Sequence, residues 1–199
     1  MYLTQLKLDA KQAAARRDLA NAYDMHRSLC RAFVVDEQTK PSRFLWRLER
    51  HDAEQGEAVV LVQSEQRGNW QPLGHLLDIA CKPLPLETLV QTDKRYFFRL
   101  LANPTVTREG KRYGLQREEE QLAWLARQLE KSGSVVQHVQ RGLSQQWRLR
   151  KPGCLITVQA VRFDGVLAVD DAQKLRLAMA SGLGHAKAMG LGLLSLAPL

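Results

Sequence analysis

The 199-residue sequence predicts an α+β fold in which two units of order β-α-β-β-α-β follow one another. Each half contains short apolar or alternating segments, which are typical of strands, and a stretch with helical period after the first of them. Clusters of glycine, proline, asparagine and aspartate separate these segments. The order is complete in the second half and only partly evident in the first.

The first half opens with a predicted strand in which Leu6 and Leu8 alternate with polar residues. Apolar residues at helical spacing follow, and two further strands and a proline-punctuated end complete this half. These segments are, in order, residues 2–8, 13–33, 44–49, 58–63 and 81–86.

The second half has its clearest signal in a helix predicted at 117–131, with acidic residues in the first turn, Lys131 in the last and Gly133 as the C-cap. We expect Asp164–Gly165 to kink or end a long apolar segment, and Asp170 to cap a final helix. The predicted strands of this half are residues 95–102, 135–139, 146–150, 155–163 and 191–197.

Both halves fit tandem ferredoxin-like (RRM-like) βαββαβ domains, which we place at residues 1–90 and 91–199. No segment is apolar enough to span a bilayer, and the chain opens as a strand rather than as a signal peptide. The cysteines Cys30, Cys81 and Cys154 are far apart and form no CxxC pair. This disfavours structural zinc and disulfides and indicates a protein of the reduced cytoplasm.

Basic residues outnumber acidic ones by 29 to 21, which gives a formal net charge of +8. No acidic residue lies between Lys131 and Phe163, and a second group of basic residues extends from Lys94 to Arg117. Two such clusters favour a polyanionic partner. A charged surface that only confers solubility is the alternative.

The C-terminal segment Gly182–Leu199 contains four glycines around Lys187, a pattern typical of loops that bind an anion through backbone N–H groups. A P-loop is excluded because Ala188 follows the lysine, and a dinucleotide fingerprint is excluded because its third glycine is missing. The segment also follows a helix and precedes a strand, the reverse of nucleotide-binding loops. A helix C-cap followed by a final strand is the alternative.

Tyr23 and His26 are three residues apart on the first predicted helix and therefore share a face, with Arg27 and Arg31 close by. The histidines have no metal-ligand spacing, no acidic cluster could hold Mg²⁺, and no nucleophile stands beside a base. RNA cleavage by the substrate's own 2′-OH needs only acid–base groups and positive charge at the phosphate. Alternatively, Tyr23 and His26 are core residues.

Several motifs together resemble the CRISPR-associated endoribonuclease CasE family of the type I-E Cascade complex, from the first residue to the last. They are the opening Met1-Tyr-Leu, Tyr23-x-x-His26, Phe98-Arg-Leu-Leu-Ala-Asn-Pro104, Ala123-Trp-Leu125, Phe163-Asp-Gly-Val-Leu167 and the closing Gly-x-Gly-x-Ala-Lys-x-Met-Gly-x-Gly-Leu-Leu-Ser-Leu-Ala-Pro. The resemblance implies two ferredoxin-like domains and metal-independent cleavage of precursor CRISPR RNA at the 3′ base of each repeat hairpin. It also implies a 2′,3′-cyclic phosphate or related 3′ end, a 5′-OH product, and retention of the mature RNA in a multisubunit complex.

By position, the resemblance assigns acid–base chemistry to His26, with Tyr23 orienting or stabilising the reacting phosphate. His185 departs from the family pattern and receives no catalytic role. No metal and no cofactor are expected, and the expected partners are the CRISPR repeat RNA hairpin and other Cascade subunits. A non-catalytic RNA-hairpin-binding subunit is the alternative function. The candidate RNA-binding residues are Arg27, Arg31, Arg148, Arg150, Lys151, Gly184, Lys187, Gly190 and Gly192.

Overall fold

The computed structural model describes residues 1–34 and 41–199, and these divide into two compact units. The first unit comprises Met1–Leu84 together with Leu149–Leu155 and Ala188–Gly190, and the second comprises Pro85–Arg148, Ile156–Lys187 and Leu191–Leu199. Each unit contains one four-stranded antiparallel sheet with helices, as the α+β prediction requires. The domain limits 1–90 and 91–199 stay a prediction.

The sheet of the first unit has the strand order β2-β3-β1-β4, which is the order of a ferredoxin-like domain. Leu6 of β1 lies opposite Val60 of β3, and both side chains face the core. A single 3₁₀ turn at Gln71–Leu73 stands where the motif has its second helix. The elements are β1 Tyr2–Asp9, α1 Ala13–Ala20, α2 Ala22–Cys30, β2 Phe44–Asp52, β3 Glu57–Ser64 and β4 Leu76–Pro83.

The helix expected at 13–33 is in fact two helices, because the backbone of Asn21 is extended, with φ −145° and ψ 110°. The second of these helices, α2, packs Met25 and Leu29 against the sheet, where both are almost completely buried. Phe33 and Trp70 close the same core, with their rings 5.4 Å apart and nearly perpendicular.

The sheet of the second unit has the order β10-β5-β9-β8, the same arrangement as in the first unit. Here both helices of the motif are present, and Leu125 and Leu129 of α4 are fully buried. A two-stranded hairpin, β6 and β7, precedes α4. The elements are α3 Leu86–Leu89, β5 Arg95–Ala102, β6 Thr105–Arg108, β7 Lys111–Gly114, α4 Glu118–Lys131, β8 Ser134–Lys151, β9 Cys154–Val169, α5 Ala172–Ser181 and β10 Leu194–Pro198.

Several expected boundaries in this half are wrong. The two strands expected at 135–139 and 146–150 are one 18-residue strand, β8. The strand expected at 155–163 is longer, since β9 extends from Cys154 to Val169, so of the two outcomes expected at Asp164–Gly165, a kink or an end, the end is wrong. Gly165 sits so close to the carbonyl of His138 that a side chain would not fit, so this glycine permits close strand approach rather than a break. Asp171, not Asp170, caps α5, since its Oδ1 accepts a hydrogen bond from the Lys174 N–H at 3.0 Å. The last strand begins at Leu194 instead of residue 191.

Among the described residues, no helix combines the length and the apolar character needed to cross a membrane. Cys30, Cys81 and Cys154 are all free thiols.

Candidate active site on the second helix

Asn21 caps the α2 helix, which begins at Ala22. The Oδ1 atom of Asn21 accepts a hydrogen bond from the Tyr23 N–H at 3.4 Å, and its backbone carbonyl accepts from the Asp24 N–H at 2.9 Å. Its Nδ2 donates to Asp24 Oδ2 at 2.8 Å and to the Arg150 carbonyl at 2.9 Å. One side chain therefore starts the helix and joins it to the tip of the β8–β9 hairpin.

Tyr23 and His26 are both half-buried, at the edge of the core that Met25 and Leu29 fill. The His26 ring lies beside that of Phe44, with centroids 5.1 Å apart and a tilt of 30°. Burial lowers the pKa of His26, so the imidazole is neutral at pH 7 and able to accept a proton. Its Nδ1 is buried and has no hydrogen-bond partner within residues 1–34 and 41–199.

Cys30 is the neighbour of His26 that sequence reasoning missed. Its Sγ lies 3.6 Å from His26 Nε2, one helical turn along α2, and burial raises the pKa of the thiol. The sulfur therefore stays protonated and contacts one ring nitrogen. The spacing of four residues was the available signal, but a cysteine in an apolar stripe looks like an ordinary core residue.

Four candidate RNA-binding residues belong to the same unit as Tyr23 and His26, and all four are exposed: Arg27, Arg31, Arg150 and Lys151. The Arg27 guanidinium lies 4.0 Å from the Asp24 carboxylate, a distance that leaves it largely solvated. Arg148 is also exposed, but it belongs to the second unit. The first unit thus contains α2 together with exposed cationic side chains, and the hydrogen bond from Asn21 to the Arg150 carbonyl links the helix to the hairpin.

The lysine of the glycine-rich segment contacts the protein itself. Lys187 Nζ donates a hydrogen bond to the Ser181 carbonyl at 2.8 Å, at the C-terminus of α5, where a cation is favourable. Its role toward RNA stays a prediction.

The glycines of this segment are explained by close packing against aromatic rings and backbone. Gly190 has φ +79°, and a Cβ there would lie 3.0 Å from the Trp46 ring, whose Nε1 donates to the Ala188 carbonyl at 3.2 Å. Gly192 is similarly confined by the Leu183 carbonyl, and Gly184 by the Trp124 ring. Gly190 and Gly192 are buried, so they shape the segment without forming its surface.

His185 is an exposed residue of this segment, and the structure places cations near it. Burial and the positive charges of Arg112 and Lys187 lower the pKa of His185. Arg112 lies on β7, which the sequence did not connect with the C-terminal glycines. Over the described ranges, the structure has no group of three or more His, Cys, Asp or Glu side chains arranged to hold a metal ion.

Comparison with known proteins extends over the whole chain. A family model described as CRISPR associated protein matches residues 1–198. The chain is 38% identical to the CRISPR-associated endoribonuclease Cse3 of Thermus thermophilus, and 32% identical to the CRISPR system Cascade subunit CasE of Escherichia coli strain K12. Both alignments cover 100% of the two chains compared.

Solved structures of such proteins have the same fold as this chain. Thermus thermophilus Cse3 bound to an RNA representing a pre-cleavage complex has a TM-score of 0.89 at 38% identity, covering 99% of this chain and 98% of that one. Cas6e from Escherichia coli strain K-12 has a TM-score of 0.75 at 30% identity, with full coverage of both chains. Since the family model matches residues 1–198 and both curated relatives align over their full length, this chain belongs to the CasE family of CRISPR-associated proteins.

Proposed function

We propose that this protein is a metal-independent endoribonuclease that cleaves precursor CRISPR RNA at the 3′ base of the repeat hairpin. The observation that carries the proposal is the end-to-end similarity to Cse3, an endoribonuclease whose structure holds an RNA in a pre-cleavage state. The half-buried His26 on α2, with cationic side chains in the same unit, supplies the chemistry that such a reaction needs.

In the proposed reaction the 2′-oxygen of the nucleotide before the scissile phosphate attacks phosphorus. His26 accepts the 2′-OH proton, which its lowered pKa permits at neutral pH. The O2′–P bond forms while the P–O5′ bond breaks, and the 5′-oxygen takes a proton from solvent water and leaves as 5′-OH. Tyr23 and the nearby arginines stabilise the charge that accumulates on the phosphate oxygens. The other product ends in a 2′,3′-cyclic phosphate.

We further propose that the protein keeps the mature RNA and works in the cytoplasm as a Cascade subunit. A chain of a CRISPR RNA-guided surveillance complex has a TM-score of 0.72 at 26% identity, over 100% of both chains, which supports this assignment. The exposed Arg27, Arg31, Arg148, Arg150 and Lys151 are the proposed contacts to the RNA backbone. Binding through phosphates releases counterions, so we expect affinity to fall steeply with salt.

The decisive experiment incubates the protein with its own repeat RNA in EDTA, with His26→Ala alongside the wild type. We expect the wild type to cleave, and the variant to bind the hairpin but leave it intact. A 2′-deoxy substitution just 5′ of the scissile phosphate should block cleavage by the wild type. Cleavage that needs Mg²⁺, or that survives the deoxy substitution, contradicts the mechanism. Binding without cleavage by the wild type supports a non-catalytic hairpin-binding subunit instead.

A further inference from the structure

The first unit contains a cluster around a buried carboxylate that the proposed reaction does not use; its cation, Arg17, is 54% exposed. The carboxylate of Asp18 in α1 is fully buried, with 0% of its side chain exposed. Its Oδ1 accepts hydrogen bonds from Nε and Nη2 of the adjacent Arg17, at 2.9 and 2.7 Å. A buried carboxylate is strongly destabilising without such a partner, so the two residues form one structural group.

Arg17 connects this carboxylate to the helix that carries the candidate catalytic residues. Its Nη2 also donates to the Oγ of Ser28 in α2, at 3.2 Å, and Ser28 is buried. Ser28 follows His26 by two residues, so the two side chains point roughly 200° apart around the helix. Arg17 therefore holds the face of α2 that lies opposite the imidazole.

The cluster extends to a third segment of the first unit. The Oδ2 of Asp18 lies 3.6 Å from Nε2 of His75, whose side chain is 5% exposed. Burial lowers the pKa of His75 despite the nearby carboxylate, so this contact involves a neutral imidazole at pH 7. The His75 carbonyl in turn accepts the Asp9 N–H at 3.0 Å, at the end of β1. The cluster thus joins α1, α2 and the segment before β4.

A helix of nine residues, such as α2, is not stable by itself in water, so its orientation depends on its contacts. Met25 and Leu29 bury its apolar face, and a directional hydrogen bond on another face adds an independent constraint on the rotation of the helix. The planar guanidinium of Arg17, fixed by Asp18, provides such a bond. A displacement of a catalytic group by about 1 Å can lower a rate by about 100-fold.

We propose that Arg17, together with Asp18 and Ser28, is a positioning residue that fixes the rotation of α2 and so holds His26 at the scissile phosphate. This inference rests on the proposed endoribonuclease function. The primary test is Ser28→Ala, which removes only the acceptor on α2 and leaves the Arg17–Asp18 pair intact. Arg16→Ala is the matched control, since Arg16 is the exposed neighbour of Arg17 on α1.

Single-turnover cleavage in EDTA and the Kd for a 2′-deoxy hairpin are measured for each variant. We expect Ser28→Ala to slow cleavage about 10- to 100-fold while the Kd stays within about twofold of wild type. Ser28→Thr, which keeps the hydroxyl, should restore most of the rate, and Arg16→Ala should cleave normally. The double variant Arg17→Gln/Ser28→Ala should be no slower than Arg17→Gln alone, because both changes remove the same contact.

A second measurement reports on His26 directly. In protein labelled with ¹⁵N-histidine, Ser28→Ala should shift the imidazole signals of His26 and leave those of His138, an exposed residue of the second unit, unchanged. Unmoved His26 signals, a wild-type cleavage rate, or a rate loss that only follows weaker binding would each overturn the positioning role. If the wild type itself fails to cleave, the proposed function fails, and shifted His26 signals would still support the structural link between Ser28 and His26.

Discussion

Replacement of Asn21 by alanine should weaken both the fold and RNA cleavage, because one side chain caps α2 and binds the hairpin tip. Loss of a helix N-cap costs about 1 kcal/mol. Loss of the 2.9 Å hydrogen bond from Nδ2 to the Arg150 carbonyl costs about 1 kcal/mol more. The sum, about 2 kcal/mol, corresponds to a fall of about 4–8 °C in thermal midpoint for a chain of this size.

Two variants separate these contributions. Asn21→Ser keeps an oxygen that can cap the helix but cannot reach the hairpin. Its loss of stability should therefore be about half of that caused by Asn21→Ala. Asn69→Ala is the matched control, because the Oδ1 of Asn69 accepts the Gln71 N–H at 3.2 Å in an exposed turn. That control should cleave RNA at the wild-type rate.

The assays are thermal unfolding and single-turnover cleavage, with hairpin affinity measured in parallel. We expect Asn21→Ala to lower stability, affinity and rate together, since the start of α2 and the carbonyl of Arg150 lose their common contact. An Asn21→Ala protein with the stability and the cleavage rate of the wild type would refute the role assigned to this side chain.

Three further predictions concern other parts of the molecule. Because burial lowers the pKa of His26 from the usual 6.5, the neutral imidazole persists below that pH, and the cleavage rate should be constant around pH 7 and fall only below pH 6.5. A pH–rate profile measures this. Cys30→Ala should lower the plateau of that profile, because the imidazole loses its contact with the thiol. Gly190→Ala should destabilise the protein by more than about 1 kcal/mol, since the methyl group would press on the Trp46 indole and the backbone has φ +79°. Denaturant unfolding measures this, with Gly153→Ala as the control, because Gly153 has a similar φ of +72° but open space around it. Asp164 is desolvated, which alone would raise its pKa, but hydrogen bonds from two arginines bring that pKa below 3.8. Its stabilising contribution is therefore present above pH 3.8 and is lost as pH falls through the lower folded pKa, so unfolding curves of the wild type and of Asp164→Asn should converge in strong acid.

The fold could be predicted from the sequence because its signals are local. Apolar residues alternate in β1 and recur at helical spacing in α4, so each pattern places its apolar residues on one face of a strand or of a helix. Both elements are present as predicted. The break at Asn21 could not be predicted in this way, because its amide binds a carbonyl 129 residues further along the chain. Propensity alone counts such an asparagine as one unfavourable residue in a helix.

The candidate site shows the same limit. Tyr23 and His26 were identified by spacing and by family resemblance. That Arg150 and Lys151 belong to the same structural unit as these two residues is visible only in the fold. The glycines after α5 suggested an anion-binding loop, but Gly190 fits against an indole that comes from β2. Arg17 and Asp18 look like an ordinary surface pair in the sequence, since nothing local reveals that the carboxylate is buried.

The β8–β9 hairpin limits how this protein can change length. Both strands lie in the sheet of the second unit, whereas residues 149–155, at the tip of the hairpin, belong to the first unit. Loss of one residue from β8 would turn every later side chain of that strand to the opposite face and would bring Leu149, now 6% exposed, out to solvent. Insertions and deletions in this hairpin should therefore be tolerated only as matched pairs in its two strands, whereas point substitutions on its exposed side leave the register of both strands unchanged.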